Sequence, residues 1–226
     1  MGRISKRMQA CQQLIDRDRT YAIEEAVDQM SKMPPVKFDE TVELHFHLDI
    51  DPSATDQTVR GTVLLPHGTG KKVRIAVFCK GELAQKADAA GADYVGAEDL
   101  IEKVNQGFLD FDCVVATPDM MRDLSKLGKT LGPRGLMPSP KAGTVTMDIE
   151  RAIQEIRAGK IEFKADKQGG IHVGIGKRSF AKEHLVENAR QVFQSIQQAK
   201  PSGVKGNLIK SFVLSTTMGP GIKVSL

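Results

Sequence analysis

Two histidines lie close together in a segment that alternates between apolar and polar residues. In TVELHFHLD (41–49), His45 and His47 share the polar side with Glu43 and Asp49. Histidines two residues apart on a strand point to the same face, so this pair could bind a metal ion. A protein metal site needs a further ligand, which must then come from elsewhere in the chain. The pattern therefore favours a solvent-facing polar strand over a metal site.

The sequence contains no motif for nucleotide binding or catalysis. The first turn of the predicted α/β region has one glycine, Gly81, where a dinucleotide fingerprint needs G-x-G-x-x-G. GTGKK (68–72) and GIGK (174–177) lack the spacing and the hydroxyl residue of a phosphate loop. No G-x-S-x-G, H-E-x-x-H or Cys–His pattern marks a nucleophile or a catalytic metal. We therefore predict no catalytic residue, no metal and no cofactor.

Two loops combine glycines with cations or hydroxyl groups. LGKTLGPRGLMPSPKAG (127–143) lets its backbone approach a phosphate closely and adds the charges of Lys129, Arg134 and Lys141. STTMGPG (215–221) ends a predicted strand on which serine and threonine side chains share one face. Such hydroxyls can bond phosphates and ribose 2′-hydroxyls. A lid or hinge loop and an ordinary strand end are the alternatives for these two segments.

The positive charge is concentrated in the last third of the chain. Residues 157–226 contain 12 Lys and Arg against 4 Asp and Glu, whereas the whole chain has a net charge of +4. This field suits a polyanion, with a merely solvated face as the alternative. An anionic membrane is disfavoured because no predicted helix combines a basic face with an aromatic one. The basic residues of this region include Lys160, Lys164, Lys167, Lys177, Arg178, Lys182, Arg190, Lys200, Lys205 and Lys210.

Composition excludes several other classes of protein. The 226 residues are 40% hydrophobic and 27% charged, which is typical of a soluble globular protein. No apolar run approaches the roughly 20 residues of a membrane span, and the basic start lacks the apolar stretch of a secretory signal. Three widely spaced cysteines do not form a disulfide framework, which favours a reducing compartment.

The predicted helices and strands that must position these residues change their pattern twice along the chain. Residues 1–66 are predicted to hold a helix and two strands, 41–49 and 61–66, paired antiparallel. From about 67 to 157, short apolar strands alternate with helices of about ten residues, which indicates a parallel sheet. Two further strands, 161–166 and 170–176, read as a hairpin. They are followed by a helix over 180–199 and a last strand over 207–218.

The first and last regions are each too small for a core of their own. We therefore predict a discontinuous two-layer α+β domain with an antiparallel sheet, formed by residues 1–67 and 158–226. A three-layer, Rossmann-like α/β domain of residues 68–157 is inserted into it, with hinges near the two junctions.

Several segments together resemble one known family. They are KFDETVELH (37–45), VRGTVLLPHGTGKKVRIAVF (59–78), LGKTLGPRGLMPSPKAGTV (127–145), GGIHVGIGKRSF (169–180) and STTMGP (215–220). They are similar, in the same order, to the bacterial ribosomal protein L-one family, whose members form the mobile stalk of the large subunit. The resemblance covers nearly the whole chain. It implies the same discontinuous two-domain layout.

The resemblance also implies a function. Family members bind a stalk segment of large-subunit ribosomal RNA, help exit-site tRNA to leave, and can repress their own mRNA. It implies a cytoplasmic protein in the large ribosomal subunit, a monomer outside the ribosome, with no membrane partner. The implied rRNA contacts are Lys37, Phe38, Thr41, Lys167, Gly170, Ser211, Thr217, Met218 and Gly219. Arg134 and Gly135 of the inserted domain are a secondary RNA contact, and the role of His172 is left open.

A second hypothesis comes from a different class. A free α/β enzyme or small-ligand-binding protein could present a basic patch incidentally. The excess of positive charge in the last third and the lack of any catalytic motif favour the ribosomal RNA-binding protein.

Overall fold

The chain folds into two compact units. A computed structural model describes residues 4–51, 57–204 and 206–225, so Lys205 lies outside the described residues. The first unit contains residues 1–70 and 161–226, and the second contains residues 71–160. Both divisions lie three residues after the boundaries predicted from the sequence.

Eight α-helices and ten strands lie within the described ranges. The helices are α1 (Lys6–Gln13), α2 (Ile23–Lys32), α3 (Glu82–Ala89), α4 (Glu98–Asn105), α5 (Met121–Leu124), α6 (Gly128–Leu131), α7 (Ile149–Arg157) and α8 (Lys182–Gln198). The strands are β1 (Tyr21–Ala22), β2 (Thr41–Leu48), β3 (Arg60–Leu64), β4 (Ile75–Phe78), β5 (Tyr94–Gly96), β6 (Cys113–Ala116), β7 (Lys160–Lys164), β8 (Gly170–Lys177), β9 (Ile209–Thr216) and β10 (Ile222–Ser225). No helix in the described part of the chain is long and apolar enough to cross a membrane.

A five-stranded sheet is the centre of the first unit. Its strand order is β1-β10-β9-β2-β8, with β2 antiparallel to both of its neighbours. Val42, Leu44, Phe46 and Leu48 of β2 are buried, as strict alternation predicts for one face of a strand. The intervening polar residues must therefore point to the opposite face, where they remain accessible.

Helices α2 and α8 cover the buried face of this sheet. Each has an apolar stripe, with Ile23 and Val27 buried on α2 and Leu185 and Val192 buried on α8. Asn188 is the buried polar exception, because its amide donates to the carbonyl oxygens of Gly68 and Ile175. One face of the sheet is thus sealed by helices, as in a two-layer α+β domain.

Two predicted strand pairings are wrong. Strand β3 pairs with β7 in a separate two-stranded sheet, not with β2, because β8 and β9 already occupy both edges of β2. The predicted hairpin of 161–166 and 170–176 likewise separates, since β7 pairs with β3 and β8 pairs with β2. Only the turn between them is tight, with the Asp166 amide donating to the Gly170 carbonyl at 2.8 Å.

The second unit has a parallel three-stranded sheet in the order β5-β4-β6. Strand β4 is buried on both faces. Ile75 and Val77 pack into an apolar cluster with α7, whereas Ala76 and Phe78 pack into another cluster with α4. Helices on both faces of a parallel sheet make a three-layer, Rossmann-like arrangement. The predicted fold class of both units is confirmed.

Candidate nucleic-acid interface

The accessible face of the five-stranded sheet is polar across three adjacent strands. The register places Glu43 opposite Ser215, and His45 between His172 and Val213. Gly170 carries no side chain and lines a shallow depression beside His45, His47 and His172. The accessible residues of this sheet face include Thr41, Glu43, His45, His47, Gly170, His172, Gly174, Lys177, Ser211, Val213, Ser215 and Lys223, and Thr217 follows the end of β9.

One end of the sheet face gathers the residues that precede β2. Lys37 is exposed, and the Phe38 side chain is 53% exposed, although burying an aromatic ring is normally favourable. Thr41 begins the strand and accepts a hydrogen bond from Lys177 Nζ at 2.9 Å. An exposed aromatic ring beside two lysines can stack on a base while the cations meet phosphates.

The turn after β9 lies at this same end. Thr217 Oγ1 accepts a hydrogen bond from the Thr41 amide at 3.0 Å, and the Thr217 amide donates to the Thr41 carbonyl at 3.1 Å. Met218 is 52% exposed. A Cβ on Gly219 would lie 2.4 Å from Thr216 Oγ1, so any side chain at position 219 would displace that hydroxyl. The turn is thus held in one shape.

The buried carboxylate of Glu40 holds this turn in place through hydrogen bonds. Glu40 is fully buried and accepts hydrogen bonds from Arg178 Nη1 at 2.8 Å, Thr216 Oγ1 at 3.0 Å and the Met218 amide at 3.1 Å. Arg7 of α1 lies 3.4 Å away and also donates to the Met218 carbonyl at 2.7 Å. Burial alone would raise the pKa of Glu40, but these hydrogen bonds and charges hold that pKa below its ordinary value.

The other end of the sheet face contains the turn between β7 and β8. Asp166 Oδ1 accepts from the amides of Gln168 and Gly170, both at 2.7 Å. These backbone donors lower the pKa of Asp166. Gly170 begins β8, and the exposed Lys167 is at the tip of the turn. A fixed turn thus presents one cation beside the sheet face.

The histidines are hydrogen-bonded to each other at the middle of the sheet face. His45 Nδ1 lies 2.8 Å from His172 Nδ1, and His45 Nε2 lies 2.8 Å from Ser215 Oγ. Burial and the neighbouring His172 lower the pKa of His45, although Glu43 opposes them. His172 is therefore part of the sheet face. Within the described ranges, no group of three or more His, Cys, Asp and Glu side chains could hold a metal ion.

The predicted site residues fall into three groups. Lys37, Phe38, Thr41, Thr217, Met218 and Gly219 meet at one end of β2, while Lys167, Gly170 and Ser211 meet at the other. The six residue steps of β2 between these ends span about 20 Å. Arg134 and Gly135 are exposed in the second unit, in a turn where Gly135 has φ +70°.

Sequence reasoning missed the residues that organise this surface. Glu40 is not among the predicted contacts, yet its carboxylate accepts from the Met218 amide and positions that turn. Arg178 was counted only as general positive charge, whereas it pairs with Glu40. The available signal was the pair of acids, Asp39 and Glu40, between the KF and TVE residues of the predicted contact segment, with arginines elsewhere in the chain.

These features define a class of protein. A hydroxyl-rich sheet face with an exposed aromatic ring and cations at its ends suits a nucleic acid, and its turns are held in fixed shapes. The part of the chain that the structure describes shows no metal cluster beside this face. The class is therefore that of an RNA-binding protein.

Comparison with known proteins identifies the family. Residues 29–220 match the model of the Ribosomal protein L1p/L10e family. The chain is 57% identical over 226 residues to the large ribosomal subunit protein uL1 of Protochlamydia amoebophila (strain UWE25), covering 100% of the chain and 96% of that protein. It is 55% identical to the uL1 protein of Thermosipho melanesiensis (strain DSM 12029 / CIP 104789 / BI429), covering 100% and 97%. With the uL1 protein of Thermosipho africanus (strain TCF52B), it is 56% identical over 225 residues, covering 99% and 97%.

The chain belongs to the Ribosomal protein L1p/L10e family. It is therefore a structural, RNA-binding ribosomal protein and not an enzyme, which sets aside the hypothesis of a free α/β enzyme.

Proposed function

We propose that the protein is a component of the cytoplasmic large ribosomal subunit and binds the ribosomal RNA of the mobile stalk through the polar sheet face of its first unit. The relatives that match over nearly their full length are named as proteins of the large ribosomal subunit. The observation that carries the proposal is that two half-exposed apolar side chains, Phe38 and Met218, belong to the two segments that are hydrogen-bonded to each other at the end of the sheet face. Fixed apolar groups beside lysines suit unstacked bases of a folded RNA.

The first unit thus serves as the rRNA-binding domain, and the second unit is an inserted domain with a different task. The exposed turn with Arg134 and Gly135 supplies a secondary contact to RNA, which on the ribosome includes exit-site tRNA. The same rRNA-binding face recognises a similar fold in the protein's own mRNA and represses its translation. Outside the ribosome the protein is a monomer.

The experiment compares two matched variants of the full chain. Phe38→Ala removes a 53% exposed side chain at the sheet face, and Leu64→Ala removes a 48% exposed side chain on β3. Filter binding measures the affinity of each variant for a stalk fragment of large-subunit rRNA and for an unrelated RNA of equal length. Phe38→Ala is expected to weaken only stalk binding, by about tenfold, because a base–aromatic stack contributes about 1–3 kcal/mol.

Leu64→Ala is expected to bind both RNAs like the parent protein. Equal losses in the two variants, or no loss in Phe38→Ala, would contradict the proposed face. The proposed roles in tRNA release and in repression of the protein's own mRNA are tested by separate experiments. Arg134→Gln is expected to slow release of exit-site tRNA from ribosomes while stalk binding is unchanged. Translation of the protein's own mRNA is expected to fall as the protein is added, and Phe38→Ala is expected to relieve that repression.

A further inference from the structure

Four side chains on the sheet face lie in one row. His172 Nε2 is 3.6 Å from Asp166 Oδ2, and His172 Nδ1 is 2.8 Å from His45 Nδ1. The row continues from His45 Nε2 to Ser215 Oγ at 2.8 Å. The Asp166 carboxylate is therefore connected to the Ser215 hydroxyl through two imidazole rings, which are hydrogen-bonded to each other through their Nδ1 atoms.

The protons along this row are linked. A hydrogen bond between two Nδ1 atoms needs a proton on one nitrogen and none on the other. Two carboxylates favour opposite arrangements when both rings are neutral: Asp166 Oδ2 lies 3.6 Å from His172 Nε2, and Glu43 Oε2 lies 3.8 Å from His45 Nε2. The Asp166 contact is the shorter, so we place a proton on His172 Nε2, which leaves His172 Nδ1 as an acceptor. His45 must then carry its proton on Nδ1, so its bare Nε2 accepts the Ser215 hydroxyl proton. The Ser215 oxygen keeps its lone pairs for an outside donor.

A single added proton reverses this arrangement. The His172 side chain is 58% exposed and lies beside Asp166, whereas that of His45 is 31% exposed. His172 is therefore the ring that accommodates a positive charge at lower cost. Once charged, His172 donates from Nδ1 to His45 Nδ1, and the His45 proton resides on Nε2. His45 then donates to Ser215 Oγ, which frees the Ser215 hydroxyl to act as a donor.

We propose that Asp166, His172, His45 and Ser215 form a proton relay that makes Ser215 an acceptor for a ribose 2′-hydroxyl at neutral pH and a donor once His172 is protonated. The assignment of RNA as the ligand rests on the proposed function. The other titratable and charged groups on this sheet face come from three strands. They are Glu43 and His47 of β2, Lys177 of β8 and Lys223 of β10, while the facing residues of β9 are uncharged.

The relay itself is tested in the free protein. In ¹⁵N-labelled full-length protein, NMR distinguishes a protonated ring nitrogen from a bare one. At about pH 7.5, His45 is expected to be protonated on Nδ1, and near pH 5.5 its proton is expected on Nε2. His172→Gln is expected to abolish that change, and His184→Gln on α8 is the matched control that keeps it. A His45 proton on Nε2 at both pH values would overturn the relay.

Its use in recognition is tested by stalk RNA binding. Loss of one hydrogen bond in Ser215→Ala is expected to weaken binding about three- to tenfold near pH 7.5. The difference between parent and variant is expected to change near pH 5.5, because His45 then occupies one lone pair of Ser215 Oγ and the Ser215 hydroxyl proton becomes free to donate. A general gain of positive charge would strengthen both proteins equally and leave their pH profiles parallel, which would overturn the assignment. Failure of the parent to prefer stalk RNA would instead contradict the proposed function, and the NMR measurement would still decide on the relay.

Discussion

Arg178 and Glu40 form a buried ion pair, with Nη1 and Oε2 2.8 Å apart, beneath the turn that exposes Met218. The same carboxylate accepts from Thr216 and from the Met218 amide, so all its contacts lie within the first unit. Two buried charges are costly to separate from water, and they are tolerated where geometry and further hydrogen bonds compensate. The pair positions the proposed RNA-binding turn, with Glu40 fully buried and the Arg178 side chain 16% exposed.

Replacing Glu40 by Gln is expected to lower the free energy of unfolding by about 3 kcal/mol, because the Arg178 charge stays buried without its partner. Since hydrogen bonds hold the pKa of Glu40 below its ordinary value, the contribution of this carboxylate is complete above that ordinary value. It is lost as the pH falls through the lowered value. Chemical denaturation from neutral to acid pH checks both effects.

Glu162→Gln is the matched control for this variant. Glu162 pairs with Arg60 at 2.5 Å, but the Glu162 side chain is 39% exposed. An exposed ion pair contributes about 0–1 kcal/mol, so the loss is expected to be small. Equal losses of unfolding free energy in Glu40→Gln and Glu162→Gln would show that the buried ion pair contributes no more to stability than an exposed one.

Met218→Ala is expected to weaken stalk RNA binding about tenfold with little change in stability, because the side chain is 52% exposed. Met147→Ala is its control, since Met147 is 57% exposed and belongs to the second unit. Filter binding and thermal unfolding of both variants give the comparison. Comparable losses of affinity at positions 147 and 218 would remove Met218 from the interface.

Lys167→Gln is expected to weaken binding to every RNA by a similar factor. Lys167 is exposed at the tip of the turn between β7 and β8, where a lysine meets phosphates and releases bound counterions. The slope of log K against log salt is expected to fall by about one in magnitude. Lys86→Gln, an exposed lysine of the second unit, should leave the slope as it is. An unchanged slope in Lys167→Gln would contradict the phosphate contact.

Asp112→Asn tests the second unit by itself. Asp112 accepts from Lys71 Nζ at 2.8 Å and from Arg74 Nε at 3.2 Å, and these contacts lower the pKa of Asp112 to about 2. At neutral pH the variant is expected to lose about 1–2 kcal/mol of unfolding free energy. The difference from the parent should persist above the ordinary aspartate pKa and vanish as the pH falls toward about 2. A difference that stays constant with pH would mean that the ion pair is not its cause.

Local patterns of the sequence were enough to predict much of this fold. The alternation around Phe46 identified β2 and its two faces, and the apolar run around Val77 identified a strand buried on both sides. Pairing partners were harder, because a strand's residues determine its faces but not its neighbours. Thus β3 was paired with the strand before it in the chain, while its partner β7 lies about a hundred residues away.

Part of the candidate site was likewise predictable from the sequence, and part of it was not. Exposed cations and hydroxyls, such as Lys167 and Ser211, were chosen from loop and strand composition together with the family resemblance. The buried contacts that fix the surface were not predictable, since Arg7 and Glu40 meet only after folding. The link between His45 and His172 depends on the register of two strands that are 127 residues apart.

Thr217→Val gives the sharpest test of the hydroxyl groups on this sheet face. The Thr217 hydroxyl already accepts from the Thr41 amide at 3.0 Å, so valine leaves that amide unpaired while keeping the side-chain volume. The expected costs are about 1 kcal/mol of stability and a loss of stalk RNA affinity, with nonspecific RNA binding and the salt slope nearly unchanged. Denaturant titration and filter binding of the same preparations measure these effects.

Thr217→Ser is the matched control, because it keeps the oxygen that accepts from Thr41 and removes only a methyl group. Serine is expected to retain both stability and stalk affinity. If valine and serine both fold and bind like the parent, the hydroxyl has no part in recognition. If valine loses stability but binds stalk RNA normally, the Thr217 hydroxyl only joins the end of β9 to β2, and recognition at this end depends on other residues, such as Phe38 and Met218.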